Sequence, residues 1–215
     1  VNTSRVSFPL GLLACTASLA MALAACGSET EASSTSTTPS TSTSSLADEF
    51  IPPPVETGDP ASAMCPTAMP RTDTAPEWTL NGDTGSVAVT GSTDAAAPLI
   101  NVQAPFSVSE TQVHTLKAGD GPVVSDTATV FVCYMGVNGR DGSVFDNSYE
   151  RGMPVDFPLD GVVPGFQKAI AGQKVGSTVA VAMTSADGYP DGQPAAGIQP
   201  GDSLIFAIKI LDASR

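Results

Sequence analysis

Fourteen of the eighteen residues at positions 28–45 are serine or threonine. Such a tract has no apolar surface whose burial could offset the entropy of ordering, so it is expected to be disordered. Any packed fold in this 215-residue chain must therefore be built outside it. The tract runs on through Asp48-Glu49-Phe50-Ile51 into Pro52-Pro53-Pro54, a stiffer and more extended run. Residues 26–64 are accordingly expected to be a disordered Ser/Thr/Pro-rich tether, with a root-mean-square reach of about 35 Å.

Upstream of the tract, residues 8–25 carry no charge and are mostly apolar, behind a short segment with one basic residue, Arg5. A basic segment followed by an apolar one is the pattern of a secretory signal. A retained transmembrane helix needs about 20 apolar residues, so length alone leaves that alternative open. The residues that follow, Leu23-Ala24-Ala25-Cys26-Gly27, resemble the bacterial lipoprotein lipobox. That resemblance implies a signal peptide at 1–25, cleavage before Cys26 and lipidation of its sulfur. The mature chain would then be extracytoplasmic, anchored to the outer face of the cytoplasmic membrane through lipidated Cys26.

Composition narrows the function classes. Twenty-two acidic residues against nine basic ones give a net charge of -13, so no basic face exists to neutralise phosphates and no nucleic-acid partner is expected. A single His argues against His-ligated metal and His-based triads, and neither a metal nor a cofactor is expected. Of the four cysteines, Cys15 falls in the signal peptide and Cys26 at the lipidation site, leaving Cys65 and Cys133. An even remainder in an exported, oxidising setting predicts a disulfide between them. The alternative is two separate thiols, with Cys133 simply packed in a strand.

From Cys65 onward apolar and polar residues alternate, punctuated by Gly. Trp78-Thr79-Leu80 and Val87-Ala88-Val89-Thr90 flank a Gly-rich turn and predict a hairpin. Val113-His114-Thr115-Leu116 predicts a short strand. In the next, Ala128, Val130, Val132 and Tyr134 share one face. Val155, Phe157 and Leu159 form another apolar face, Val179, Val181 and Met183 a further one, and Leu204, Phe206, Ile208 and Ile210 the last. One segment reads as helix: Pro164 suits a first turn, Gly172 an exit, and Phe166 and Ile170 fall on one face. Many short strands with one helix define an antiparallel α+β class.

The order Val132-Cys133-Tyr134-Met135-Gly136, Asp141-Gly142-Ser143-Val144-Phe145-Asp146-Asn147-Ser148, Arg151-Gly152, Val162-Val163-Pro164-Gly165-Phe166, Gly188-Tyr189 and Gly197-Ile198-Gln199-Pro200 resembles the FKBP-type peptidyl-prolyl cis-trans isomerases. The likeness covers roughly half the chain. It implies an FKBP-like antiparallel sheet wrapped around one short helix, at residues 106–215. Residues 65–105 match nothing in the pattern and are expected to form a β-rich N-terminal extension.

The chemistry explains the residue types. An X-Pro bond rotates over a barrier of about 18–20 kcal/mol maintained by amide resonance. Lowering it takes no nucleophile or proton shuttle; it takes a dry cavity that binds the twisted amide better than the planar one. The resemblance places catalytic roles on Asp146, Phe145 and Tyr189. It places substrate binding on Tyr134, Val162, Val163, Phe166, Ile198 and Phe206, with Arg151 tying Asp146 and Tyr134 in place. Phe166 would lie under the proline ring, and the Val163 N–H and the Tyr189 hydroxyl would hold ligand carbonyls. Taken singly, the three phenylalanines read as core aromatics and Asp146 as a turn residue bonding its own backbone.

Two departures stand out. Phe166 occupies a floor position that is commonly Trp in the family, and Val155 a wall position that is usually aromatic. Expected partners are proline-containing polypeptides, the membrane through the lipid anchor, and macrolides of the tacrolimus or rapamycin type, with affinity reduced by Phe166. The implied function is an isomerase acting on exported proteins. The alternatives are a non-catalytic binder or chaperone of proline segments, and a surface interaction protein using residues 65–105.

Overall fold

The computed structural model describes residues 64–70 and 72–214. The expected signal peptide, the lipidation site Cys26 and the tether up to residue 63 lie outside the described residues. Everything described falls within one unit, Pro54–Arg215.

The hairpin expected around residues 81–85 forms from β1 (Trp78–Asn81) and β2 (Thr84–Thr90), paired antiparallel with Leu80 opposite Val87. A third strand, β3 (Leu99–Ser107), completes a small antiparallel sheet in the order β1-β2-β3. β3 was not evident in the sequence. Gln103, Ala104 and Pro105 are exposed, which breaks its alternation, and proline is tolerated because β3 lies at the sheet edge. The strand continues past position 105 to Ser107.

The main sheet contains β4 (Gln112–Lys117), β5 (Thr129–Asn138), β6 (Val144–Asn147), β8 (Thr178–Met183) and β9 (Leu204–Ser214) in the order β4-β8-β9-β5-β6. A further strand, β7 (Val155–Pro158), also pairs with β5. Every pairing is antiparallel. Helix α2 (Pro164–Ile170) starts with Pro at its first turn and buries Phe166, Ala169 and Ile170 against the sheet. Gly165 permits that approach: a Cβ there would lie 2.8 Å from the Met183 side chain.

The strand faces assigned from alternation meet in this core. Val130, Val132 and Tyr134 of β5, Val179, Val181 and Met183 of β8, and Phe206 and Ile208 of β9 all pack with α2. The opposite face of the sheet is covered too. Ala180, Ala182, Ile205 and Ala207 pack against Val87, Val89 and Phe106 of the small sheet. β8 is therefore buried along its whole length, and its alternate alanines are the residue type that lets two sheets come close. The architecture is the expected α+β class, an antiparallel sheet wrapped on one short helix with an N-terminal β extension.

A second helix, α1 (Ser148–Arg151), was not anticipated. Its signals are local. Asn147 caps it by accepting from the Tyr149 and Glu150 N–H groups, and Gly152 ends it at φ 68. Four residues carry no hydrophobic period, so only the caps could have revealed it.

Candidate active site

The aromatic cavity is assembled from the sheet outward. Tyr134 sits on β5, Phe206 on β9, Phe145 and Asp146 on β6, and Phe166 on α2. Phe166 is the hub. Its ring meets those of Tyr134 at 5.8 Å and 84°, Phe206 at 5.4 Å and 82°, and Phe157 at 5.7 Å and 79°. Edge-to-face contacts at these separations are the favoured aromatic geometry. Phe145 closes the wall against Phe206 at 5.5 Å and 87°. Gly136 makes that pairing feasible: a Cβ at this position would lie 2.7 Å from Phe145 Cζ and 2.8 Å from Phe206 Cε1.

The cavity has a volume of about 390 Å³ and is lined by Tyr134, Phe145, Asp146, Phe157, Gly161, Val162, Val163, Phe166, Tyr189 and Phe206. Eight of the nine pocket and catalytic positions drawn from the resemblance converge here. The ninth, Ile198, does not line it. Ile198 is 2% exposed and packs in the core, where its backbone closes the Tyr189 loop through hydrogen bonds in both directions with Gln193.

Val155 is likewise absent from the lining and packs partly buried against the core. Phe157, two residues along β7 and on the same face, supplies an aromatic wall in its place. The alternation of Val155, Phe157 and Leu159 held the signal that could have found it.

Asp146 is the one acidic side chain in the lining. Its carboxylate accepts from the Tyr134 hydroxyl on one side, and on the other pairs with Arg151 Nη1 at 2.7 Å. Burial alone would raise its pKa, but the Tyr134 hydrogen bond and the Arg151 guanidinium outweigh that and hold it below the ordinary carboxylate value. Burial, reinforced by the Asp146 charge, pushes Tyr134 up to about 12. At neutral pH the pair is therefore a charged carboxylate held by a neutral phenol.

Tyr189 is fixed through its loop. The Ser185 hydroxyl donates to the Tyr189 carbonyl at 3.2 Å and accepts from the Gly201 N–H at 3.1 Å. Farther out, the Asp202 carboxylate accepts from Asn138 Nδ2 and the Gln199 N–H, and Arg140 donates to the Gly197 carbonyl.

Cys65 and Cys133 form a disulfide. It sits directly behind the cavity, since Cys133 precedes Tyr134 on β5. The Ser148 hydroxyl, 3.5 Å from Cys65 Sγ, accepts the Tyr134 N–H at 2.8 Å. Among the described residues no three His, Cys, Asp or Glu side chains gather as a metal site. A slightly larger cleft of about 410 Å³ lies beside the disulfide, but its lining includes Asp94 and Lys209 and no aromatic ring.

The sequence profile of the FKBP-type peptidyl-prolyl cis-trans isomerases matches residues 121–211. The chain is 36% identical over 96 residues to an FK506-binding protein of Streptomyces anulatus, covering 43% of this chain and 77% of that protein. It is also 39% identical over 98 residues to the FKBP-type peptidyl-prolyl cis-trans isomerase FkpA of Escherichia coli strain K12, covering 45% of this chain and 35% of FkpA. The crystal structure of Escherichia coli FkpA superposes with a TM-score of 0.45 over 48% of each chain at 36% identity. The chain belongs to the FKBP-type peptidyl-prolyl cis-trans isomerase family. It spans about a third of the length of the Escherichia coli relative, and the residues that match the family profile include all those that line the cavity.

Proposed function

We propose that the chain accelerates cis/trans isomerisation of X-Pro bonds in exported polypeptides. The observation that carries this is Asp146, a carboxylate held by Tyr134 and Arg151 at the wall of an otherwise aromatic and aliphatic cavity. The proline ring would seat on Phe166 between Tyr134, Phe145 and Phe206. Stripping water from the amide removes the hydrogen bonds that favour its planar, charge-separated form. As the C–N bond twists, the nitrogen loses conjugation and the carbonyl loses polarity, so a site that binds this geometry best lowers the barrier. The Val163 N–H and the Tyr189 hydroxyl would hold flanking carbonyls, so that the bond turns while its ends stay fixed. Asp146 would act as a fixed charge near the twisting amide, with no proton transferred. Phe157 widens the aromatic wall beyond what the family likeness alone suggested.

The direct test is exchange NMR on an Ala-Leu-Pro-Phe peptide with the full chain. Accelerated exchange supports the activity, and binding without acceleration would favour a chaperone that only holds proline segments. The same cavity would admit macrolides of the tacrolimus or rapamycin type. A floor of Phe166 in place of Trp offers them less stacking area, so weaker affinity than in Trp-bearing relatives is expected.

Extracytoplasmic placement through a lipid on Cys26 is part of the same proposal. The Cys65–Cys133 disulfide supports it, because such bridges persist in oxidising compartments. Mass spectrometry of protein extracted from membranes should find a diacylated Cys26 as the first residue. An unmodified Cys26, or a cut elsewhere, would contradict the anchor.

A further inference from the structure

Strand β6 lines two cavities. Phe145 and Asp146 line the aromatic one, whereas Val144 and Asn147 line a second concavity of similar size, about 390 Å³. Its walls are Met69, Pro98, Leu99, Ile100, Met135 and Val144, with Thr67, Asn147 and Glu150 among the polar groups that line it. The N-terminal extension supplies the first four of these walls, and β5 and β6 the other two. Large apolar side chains are left open here: Met69 is 82% exposed and Val144 52%. Met153, 63% exposed, follows Gly152, whose Cβ position lies 3.2 Å from Thr67 Cγ2 at the groove.

We propose that this groove is a second subsite for the same client polypeptide, taking apolar side chains that flank the proline seated in the aromatic cavity. The inference rests on the proline-binding role proposed above. Three features carry it. Consecutive residues of β6 face the two cavities, and β6 ends the strand order of the main sheet, paired with β5 alone among the described strands. A chain passing over that edge would meet both cavities in turn, because neighbouring residues of β6, Val144 and Phe145, line one each. The lining is also of the adaptable kind. Two thioethers among branched aliphatics fit side chains of varied shape, which suits a site that must accept many unfolded sequences. Finally, the opening is concave and of small-ligand size, which suits inserted side chains more than a flat face of a second folded copy.

The test compares two peptides on the full chain: Ala-Leu-Pro-Phe, and the same core extended by four apolar residues on each side. The wild type should bind the long peptide about tenfold more tightly than the short one, the gain expected when an additional apolar side chain is buried. Met69→Asp and Val144→Asp, each at an exposed position outside the aromatic cavity, should abolish most of that gain while leaving kcat/KM for the short peptide unchanged. The proposal is overturned if the wild type shows no gain, or if the gain survives both substitutions. It is equally overturned if the chain self-associates in a concentration-dependent way that Met69→Asp abolishes, since a second copy would then fill the groove. Failure of the wild type to isomerise the short peptide would count against the catalytic proposal alone, and the binding comparison would still decide the groove.

Discussion

Asp146 and Gly136 show how single residues set the cavity. The hydrogen bond from Tyr134 and the Arg151 ion pair lower the Asp146 pKa from its ordinary 3.8. A carboxyl whose folded value is depressed adds stability above its unfolded value and loses it as pH falls through the folded value. Isomerisation should therefore be flat from about pH 5 to 8 and fall only below the ordinary carboxylate range. A rate profile that titrates near neutrality would contradict this assignment. Gly136 has a steric role, since any Cβ there collides with the paired rings of Phe145 and Phe206. Gly136→Ala should lower kcat/KM several-fold and cost about 1–3 kcal/mol of stability, as overpacking does. Unchanged activity and an unchanged urea midpoint would show that the rings relax at no cost. The sequence identified Asp146 and Phe145 through the family likeness, but it gave Gly136 no role. A glycine required by ring packing looks the same in a sequence as one required by a turn.

At the scale of elements, the informative strand is β8. Val179, Val181 and Met183 were legible as a core face because they alternate, and they do pack on α2. Ala180 and Ala182 were silent, because alanine is compatible with either a buried or an exposed face. The structure shows both fully buried beneath the β1-β2-β3 sheet. Ala182→Leu should therefore force the two sheets apart and destabilise by about 1–3 kcal/mol in urea unfolding. A neutral effect would mean that the small sheet does not seal this face. α1 and β3 escaped for related reasons: one is too short to show a period, and the other breaks its period at Gln103-Ala104-Pro105. Ile198, which the likeness places at the site, is buried in the same cluster as Tyr134, Tyr189 and Phe206 and does not line the cavity. Phe157 carries no site role in the family pattern, whose aromatic wall position falls on Val155, two residues away on the same face.

For the molecule as a whole, the extension is bound to the FKBP-type domain by several kinds of contact, the stacking of Trp78 on His114 among them. The others include the apolar seam under β8, the buried hydrogen bond from the Tyr149 hydroxyl to Ser92 Oγ at 2.9 Å, and the Cys65–Cys133 disulfide. The disulfide spans a sequence separation of 68 residues, and removing such a bridge typically costs about 2–4 kcal/mol. The double variant Cys65→Ala, Cys133→Ala should lose stability in that range, and equal stability would show that the other contacts suffice. Six of the chain's twelve aromatics (one Trp, three Tyr and eight Phe in all) line a single cavity, around one charged carboxylate. Exchange NMR on an Ala-Leu-Pro-Phe peptide reads out whether this cavity turns X-Pro bonds. The full chain should accelerate exchange, and Phe145→Ala and Asp146→Val should each reduce kcat/KM by about tenfold or more with circular dichroism unchanged. A folded wild type that leaves the exchange rate at its uncatalysed value, or variants as fast as the wild type, would contradict it.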